Sequence, residues 1–202
     1  MSLLSAWMIL SMILKNDPWK HILLEDFLSF EDFKSLREIA KNEIKPLGNK
    51  KKIRLVKIYD TNGNELNTED TNDGGQPLHY SGLFESYFEI SKSILAYLDI
   101  SKIADIKKIN FEMQSIEPNF SYKVHCDRPD KLLSIVIYLD PDHNYGTFIH
   151  KSESDEGNEI KWDLNSGVAF SARYDHTWHS FKSNEKRRTT FNINLYDSII
   201  KM

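Results

Sequence analysis

At 202 residues, with 40% hydrophobic and 12% aromatic residues, the chain is long enough for one domain with a sizeable core and too apolar for global disorder. Its formal net charge of −4 excludes a general attraction to nucleic acid or to anionic membranes, so a partner must be recognised by a specific site. The single cysteine, Cys126, excludes an intramolecular disulfide framework and fits a reducing compartment, for which we expect the cytoplasm.

The beginning of the chain, residues 3–14, is largely apolar but matches neither kind of targeting segment. It lacks the positive n-region of a signal peptide and is shorter than the ~20 residues of a membrane helix. We therefore expect no export signal and no membrane anchor. Met12 begins a stretch that looks like a natural start, so our hypothesis is that residues 1–11 are an upstream extension, which an intact-mass measurement of the native protein would test.

The region up to residue 105 is predicted to hold two strands and two helices that support the rest of the chain. Strands are predicted at residues 22–27 and 53–59. The first helix follows Ser29-Phe-Glu-Asp32, which resembles a capping box, and the second runs from about Ser81 to Leu98. Each helix has one apolar stripe at the spacing of a buried face: Phe33, Leu36, Ala40 and Ile44 in the first, and Leu83, Tyr87, Ile90, Ile94 and Leu98 in the second.

Residues 61–77 form a long polar segment between these elements. It consists mainly of Asn, Asp, Gly and Thr, and Leu66 is its one strongly apolar residue. Such a segment cannot offset the entropy of its own ordering by burial, so we predict a long loop. Two interpretations stay open, a lid over a functional site and a disordered excursion.

From residue 106 onward the pattern changes to short β segments separated by turn residues. They are predicted at residues 108–116, 120–124, 132–139, 147–150, 159–162, 168–171, 177–181 and 188–196. Eight short strands within about ninety residues favour a sandwich or jelly roll over a parallel sheet. We predict a mainly β protein with flanking helices, folded as a single domain over residues 1–202. In it, residues 1–105 are a support region and residues 106–198 are the jelly-roll core.

One predicted strand carries a pair of candidate metal ligands. Residues two apart on a strand point to the same side, so His125 and Asp127 can offer an imidazole and a carboxylate to one ion while Cys126 faces away. His179 lies 179 − 127 = 52 positions further along, in another β-rich run. Two histidines and one carboxylate form the facial set that holds non-haem Fe(II) and leaves open positions. His176 is an alternative third ligand.

The last predicted strand adds an anion-binding feature. If Arg188 points into the barrel, alternation gives this strand a polar inward face and an apolar face toward the helices. The residues of the two faces are Thr190, Asn192 and Asn194 on the first, and Phe191, Ile193 and Leu195 on the second. An arginine suits a small carboxylate, because its planar fork can bind both oxygens. Arg187 is an alternative, but it would turn Phe191 and Ile193 into the pocket.

On these residues the chain resembles the 2-oxoglutarate and Fe(II)-dependent oxygenases, in particular the prolyl 4-hydroxylase-like branch with its double-stranded β-helix. The resemblance covers about residues 110–196 and rests on these short matches: His125-Cys-Asp127, Tyr138-Leu-Asp140, Gly146-Thr147, Trp178-His179 and Arg188-Thr-Thr190. The chain departs from the family pattern at Pro118-Asn119, where Pro-Gly is commoner. It also departs at Ile137, where some relatives carry a tyrosine that contacts the cosubstrate.

The resemblance implies a cupin-like jelly roll in which His125, Asp127 and His179 bind iron and Arg188 binds the distal carboxylate of 2-oxoglutarate. By the same resemblance, Tyr122 lines the pocket and Thr190 supports that carboxylate. The implied enzyme is a dioxygenase that uses Fe(II), 2-oxoglutarate and O2, with ascorbate as a further reductant that the resemblance allows. It hydroxylates a C–H bond of a protein side chain, such as proline, or of a small molecule, while 2-oxoglutarate is decarboxylated to succinate.

Three other interpretations use some of the same residues. A non-catalytic cupin-like binding or interaction module would keep the fold, and perhaps a metal, but predicts no turnover of 2-oxoglutarate. A zinc hydrolase uses the same ligand types but does not require Arg188. A nucleic-acid demethylase of the same superfamily is expected to carry a second arginine six positions after the cosubstrate arginine, where this chain has Asn194. We therefore expect no nucleic-acid substrate.

Overall fold

The computed structural model describes residues 12–42, 44, 52–66, 76–173 and 175–198. The first elements are β1 (Met12–Lys15), β2 (His21–Leu24), α1 (Phe30–Asn42), β3 (Lys52–Asp60), β4 (Glu65–Leu66) and β5 (Gln76–Pro77). Next come α2 (Leu83–Asp99) and a 3-10 helix (Ile100–Asp105). The remaining strands are β6 (Lys108–Ile116), β7 (Ser121–His125), β8 (Lys131–Asp140), β9 (Thr147–His150), β10 (Asn158–Ile160), β11 (Gly167–Ser171), β12 (Trp178–Lys182) and β13 (Arg188–Tyr196).

The last eight strands form the two facing sheets of a jelly roll. The minor sheet has the order β10-β9-β12-β7, and the major sheet has the order β1-β2-β11-β8-β13-β6-β3-β4, with β5 also paired to β3. The predicted jelly roll with flanking helices is therefore confirmed. Strands β2 and β3 come from the support region but extend the major sheet at its two sides. The single-domain assignment over residues 1–202 stays a prediction.

The main core lies between the major sheet and the two helices. Strand β13 contributes Phe191, Ile193 and Leu195, each fully buried, and these pack in one cluster with Leu36 of α1 and Leu83 of α2. This is the apolar face that alternation predicts for β13. The other face of the strand turns toward the minor sheet, and this face carries the polar residues of the candidate site.

Local sequence patterns were less accurate at the edges of the major sheet. The predicted strand at residues 22–27 ends at Leu24, because the chain turns at Asp26, which has a φ of 46°. Strand β1 was not predicted, since it is a short edge strand with only partial burial. The predicted loop at residues 61–77 is wrong at residues 65–66 and 76–77, where β4 and β5 pair with β3. Residues 1–11 and 67–75 lie outside the described residues. The hypotheses of an upstream extension and of a lid concern these residues and stay predictions.

No helix in the described part of the chain is long and apolar enough to cross a membrane.

The start of α1 is held by hydrogen bonds to Asp32. The Ser29 hydroxyl accepts the Asp32 backbone N–H at 3.1 Å, as a capping box requires. The Asp32 carboxylate does not complete the box. It accepts hydroxyl hydrogen bonds from Tyr80 and Tyr87, both at 2.6 Å. Burial raises the pKa of Asp32, but these tyrosine bonds outweigh burial and hold the pKa below its ordinary value.

The hydroxyl of the cap residue Ser29 also donates to the Asp32 carboxylate, at 2.7 Å. We expect Asp32→Ala to lower the free energy of unfolding by about 2 to 3 kcal/mol, because this hydroxyl and the two tyrosine hydroxyls lose their charged acceptor together. Urea unfolding measures the change. The matched control is Glu31→Ala, which removes an exposed carboxylate from the same helix turn and should change stability by less than about 0.5 kcal/mol. Equal losses in both variants would contradict this role for Asp32.

Candidate metal centre

Two strands of the minor sheet bring three ligand-type side chains together. His125 ends β7 and lies directly opposite His179 of β12, with ring centroids 4.3 Å apart. Asp127 follows two residues after β7, and its Oδ1 lies 3.9 Å from Nε2 of His179. One ligand atom from each of the three residues lies within 4.8 Å of the others. Among the described residues, this is the one group of its kind.

Both imidazoles are oriented by backbone carbonyls. Nδ1 of His125 lies 3.1 Å from the Lys123 carbonyl oxygen, and Nδ1 of His179 lies 2.9 Å from that of Thr177. When Nδ1–H donates to these carbonyls, Nε2 keeps a free lone pair, as in histidines that ligate metals. Burial, together with the neighbouring His179, lowers the pKa of His125 to about 4. Burial also lowers the pKa of His179, so both rings are neutral at pH 7.

The Asp127 carboxylate is held at both oxygens. Ser134 donates its hydroxyl to Oδ2 at 2.6 Å, and Lys131 donates its ammonium to Oδ1 at 2.9 Å. Burial raises the pKa of Asp127, but Lys131, His179 and Ser134 outweigh burial and hold the pKa below its ordinary value. The carboxylate is therefore ionised at neutral pH, as metal ligation requires. Sequence reasoning did not find Lys131 or Ser134.

The rival residues lie elsewhere. His176 is exposed in the turn before β12 and does not belong to the cluster of ligand atoms. Arg187 donates to a carboxylate oxygen of Glu117 at 3.0 Å and to the Ile44 carbonyl at 2.9 Å. The structure thus brings His179, and not His176, to the other two candidate ligands.

Arg188 lies inside the barrel at the start of β13 and is 2% exposed. Its Nε donates to the Tyr145 carbonyl at 3.0 Å, but its Nη2 is buried and has no hydrogen-bond partner among the described residues. The rings of Trp162, Phe181 and Tyr138 have their centroids 5.2, 5.4 and 5.6 Å from the guanidinium carbon. Burial lowers the pKa of Arg188 to about 10, so the group is still a cation at pH 7.

The buried Nη2 of Arg188 indicates that the pocket beside this arginine fits a carboxylate. A buried N–H group without an acceptor is costly, and a cation surrounded by rings attracts an anion that can accept two hydrogen bonds. The histidine and carboxylate cluster, for its part, has the ligand types of an Fe(II) site, and hydrogen bonds with neighbouring groups hold its side chains in place. The residues present therefore fit both a metal ion and a small dicarboxylate.

Two further residues named from the sequence lie on the walls. Tyr122 is 36% exposed, stacks on Phe181 at 5.0 Å between centroids and meets His125 edge-on at 4.8 Å. Thr190 is buried and lies opposite Gln114 in β6 and Tyr138 in β8, on the same face of β13 as Arg188. Tyr122 therefore lies at the opening beside the metal ligands, and Thr190 lies one position along the strand face from Arg188.

Comparison with solved structures identifies the fold. A prolyl-4-hydroxylase from Pseudomonas putida aligns with a TM-score of 0.57, covering 87% of this chain and 91% of its own at 13% identity. A prolyl hydroxylase from Trichoplax adhaerens, in complex with a hypoxia inducible factor oxygen degradation domain peptide fragment, aligns at 0.52, covering 88% and 83% at 12% identity. The chain has the fold of the prolyl 4-hydroxylases. No protein-family model and no curated protein sequence matches it.

Another protein with the prolyl 4-hydroxylase fold is the viral collagen prolyl hydroxylase of Paramecium Bursaria Chlorella virus-1, described as a 2OG complex. It aligns with a TM-score of 0.50, covering 89% of this chain and 97% of its own at 14% identity. All three alignments extend over most of both chains, so the likeness includes the support region as well as the jelly roll. The double-stranded β-helix that the sequence motifs implied is confirmed.

In this prolyl 4-hydroxylase fold, β8 carries a tyrosine that faces the pocket. It lies one position after Ile137, where some relatives carry a tyrosine that contacts the cosubstrate. Ile137 is fully buried in the core on the helix side. Its neighbour Tyr138 faces the pocket, stacks on Trp162 with centroids 4.6 Å apart and accepts the Thr147 N–H at 2.9 Å. Ile137 itself therefore does not face the pocket, and a contact between Tyr138 and the cosubstrate stays a prediction.

Two small residues of the motifs also have a structural reason. A Cβ at Gly146 would lie 1.6 Å from the Ile160 carbonyl oxygen, so only glycine lets this segment approach β10. Asn119, at the Pro-Gly position of the family pattern, has a φ of 56°, and asparagine tolerates this left-handed conformation better than most residues. The substitution at Asn119 therefore keeps the turn that leads into β7.

Proposed function

We propose that this protein is an Fe(II)- and 2-oxoglutarate-dependent dioxygenase that hydroxylates a C–H bond. In this reaction the substrate, 2-oxoglutarate and O2 become the hydroxylated product, succinate and CO2. The observation that carries the proposal is one barrel that contains both a His-Asp-His cluster and a buried guanidinium with an unpartnered N–H. A zinc hydrolase would need the first feature but has no use for the second.

His125, Asp127 and His179 would hold Fe(II), which supplies, when bound, the one-electron and O2 chemistry that no amino-acid side chain provides. The carbonyl oxygens of Lys123 and Thr177 keep the two imidazoles in the orientation that ligation needs. Because the protein would supply only three ligands, 2-oxoglutarate and O2 could both reach the metal. The role of these residues is to hold the metal on one side and to keep its other side open.

Arg188 would bind the distal carboxylate of 2-oxoglutarate through Nη2. Burial raises the pKa of the Tyr138 hydroxyl, so this group stays protonated, and it accepts from Thr147. Its own hydrogen bond, to the Ile160 carbonyl, is long at 3.4 Å, and the hydroxyl would exchange it for one to the same carboxylate. Thr190 lies on the same face of β13 as Arg188. We assign its hydroxyl as a third donor to the distal carboxylate, after Arg188 and Tyr138. The surrounding rings exclude water, which strengthens each of these hydrogen bonds.

A protein side chain is the first candidate for the hydroxylated substrate. The Trichoplax adhaerens enzyme of this fold is described with a peptide fragment, which supports a peptide over a metabolite, and prolyl residues are the natural first choice. The exposed ring of Tyr122 beside His125 offers a surface for a flat or cyclic group at the opening. Small molecules are the second candidate class, and ascorbate is included in assays as the reductant.

Succinate release tests this proposal. The protein is incubated in air with Fe(II), 2-oxoglutarate, ascorbate and either proline-containing peptides or small-molecule acceptors, and succinate is quantified by mass spectrometry. We expect iron-dependent succinate in every reaction and more of it when an acceptor becomes hydroxylated, with a product mass increase of one oxygen atom. Folded protein that releases no succinate above a metal-free control would contradict the enzyme and favour the non-catalytic module.

A further inference from the structure

We infer that Lys131 weakens the binding of a divalent metal ion at this site, because its ammonium group already binds the carboxylate oxygen that faces the histidines. The inference rests on the proposed function only in taking His125, Asp127 and His179 as the metal ligands. It adds a residue that sets the metal affinity and that is not itself a ligand.

The geometry assigns different partners to the two oxygens of Asp127. Oδ1, which lies 3.9 Å from Nε2 of His179, accepts the Lys131 ammonium at 2.9 Å. Oδ2 accepts the Ser134 hydroxyl at 2.6 Å. Lys131 therefore binds the Asp127 oxygen on the histidine side, which is the oxygen that a metal ion bound by all three residues would use. Ser134 binds the other oxygen.

Lys131 is not a solvated surface lysine. Its side chain is 17% exposed, and that of Asp127 is 11% exposed. The ammonium nitrogen lies 6.0 Å from the centroid of the Tyr196 ring, which is 8% exposed. Lys108 and Arg128 lie over the same ring, at 5.0 and 5.8 Å. The lysine thus has a buried stem, so solvent screens its charge only weakly, and Glu112 is a second anionic group that acts on it besides Asp127.

Charge then decides the direction of the effect. Asp127 is the one carboxylate among the three candidate ligands, and its Oδ1 already binds the Lys131 ammonium at 2.9 Å. A divalent ion at the same carboxylate would be a like charge within a few ångströms of the ammonium, and repulsion between partly buried charges is large and poorly screened. Removing the lysine charge should therefore tighten metal binding.

The opposite view is that Lys131 is a positioning residue that holds the carboxylate ready for the metal. Loss of such a residue typically costs about 10- to 100-fold in metal affinity. The two views predict changes of opposite sign, so one variant separates them. Lys131→Met keeps the apolar stem and removes the charge, Lys131→Gln keeps a hydrogen-bond donor without charge, and Lys131→Arg keeps the charge.

The experiment titrates the metal-free protein with Co(II) alone and follows the visible absorption of bound cobalt. We expect wild type to bind one Co(II), and Lys131→Met and Lys131→Gln to bind at least about tenfold more tightly. Lys131→Arg should stay within about threefold of wild type. The control is Lys102→Met, which makes the same change in net charge at a lysine bound to Ser171 and Ala172. Its affinity should equal that of wild type.

Thermal unfolding gives a second readout that does not depend on activity. Without metal, Lys131→Met should unfold at a lower temperature than wild type, because the Asp127 carboxylate loses its countercharge. Saturating Co(II) should then raise its Tm by more than it raises that of wild type, since tighter binding stabilises more. Lys131→Gln gives the same comparison if the methionine variant does not fold.

Each outcome decides between the views. Unchanged or weaker Co(II) binding in both neutral variants overturns the inference and leaves the metal site intact. Weaker binding that Lys131→Arg restores identifies a positioning residue instead. If wild type binds no Co(II), or if His179→Ala binds it as tightly, the proposed metal site fails and the inference fails with it.

Discussion

His179→Ala is expected to lose stoichiometric metal binding and with it all iron-dependent turnover of 2-oxoglutarate. His179 is 7% exposed, lies opposite His125 and faces Asp127, so alanine removes one of three ligands and leaves a buried gap. Loss of a partner that only orients a ligand costs about 10- to 100-fold in affinity, and loss of a ligand should cost more. Co(II) titration and succinate release measure the two losses.

The chain offers a matched control three residues away. His176→Ala also removes one imidazole, but from an exposed turn outside the ligand cluster. We expect its metal affinity and its succinate release to equal those of wild type. If His176→Ala were the inactive variant and His179→Ala the active one, the assignment of the third ligand would be reversed.

Arg188→Met should raise the concentration of 2-oxoglutarate needed for half-saturation by about 30- to 100-fold, because a charge-assisted hydrogen bond in a buried site is lost. The metal affinity should stay that of wild type, since Arg188 contacts Tyr145 and the rings of the pocket but none of the metal ligands is among its described partners. Kinetics of succinate release at varied 2-oxoglutarate, with the protein saturated in Fe(II), give the number.

The adjacent arginine is the control for this second result. Arg187→Met makes the same change of charge, but Arg187 pairs with Glu117 away from the pocket. It should leave the dependence on 2-oxoglutarate unchanged, and Arg188→Lys should recover part of the lost affinity because it keeps the charge without the planar fork. A large effect of Arg187→Met with none from Arg188→Met would show that the other arginine binds the cosubstrate.

The features that the sequence predicted well depend on local periodicity. Alternation along β13 is a period of two, so one inward arginine determines which neighbours face the pocket and which pack on the helices. Phe191 and Ile193 lie in the helix-side core as this rule requires. The His-x-Asp spacing likewise needs only the geometry of one extended segment, and His125 and Asp127 do converge.

The features that were missed depend on pairing between distant strands. Tyr138 faces the pocket because it pairs with Thr190 of β13. The register between β8 and β13 shifts next to this pair, and no pattern within β8 alone predicts that shift. Strands β4 and β5 have two residues each and form only because β3 lies beside them. Their sequences carry no strand signal of their own.

Lys131 was missed for a different reason. It lies four residues after Asp127, but the segment between them is neither helix nor strand, so no periodicity predicts that the two side chains meet. The contact exists because the chain turns between β7 and β8 and returns the start of β8 to the metal ligands. Contacts across such a turn require the three-dimensional structure.

The central claim, that one site binds both Fe(II) and 2-oxoglutarate, is tested most directly by anaerobic titration of the metal-free protein with Fe(II) and then with 2-oxoglutarate. A 2-oxo acid chelated to Fe(II) gives a metal-to-ligand charge-transfer absorption in the visible range. We predict that this band appears with wild type, is absent with His179→Ala and needs far more 2-oxoglutarate with Arg188→Met. Folded wild-type protein that binds Fe(II) but gives no band at any 2-oxoglutarate concentration would contradict the account.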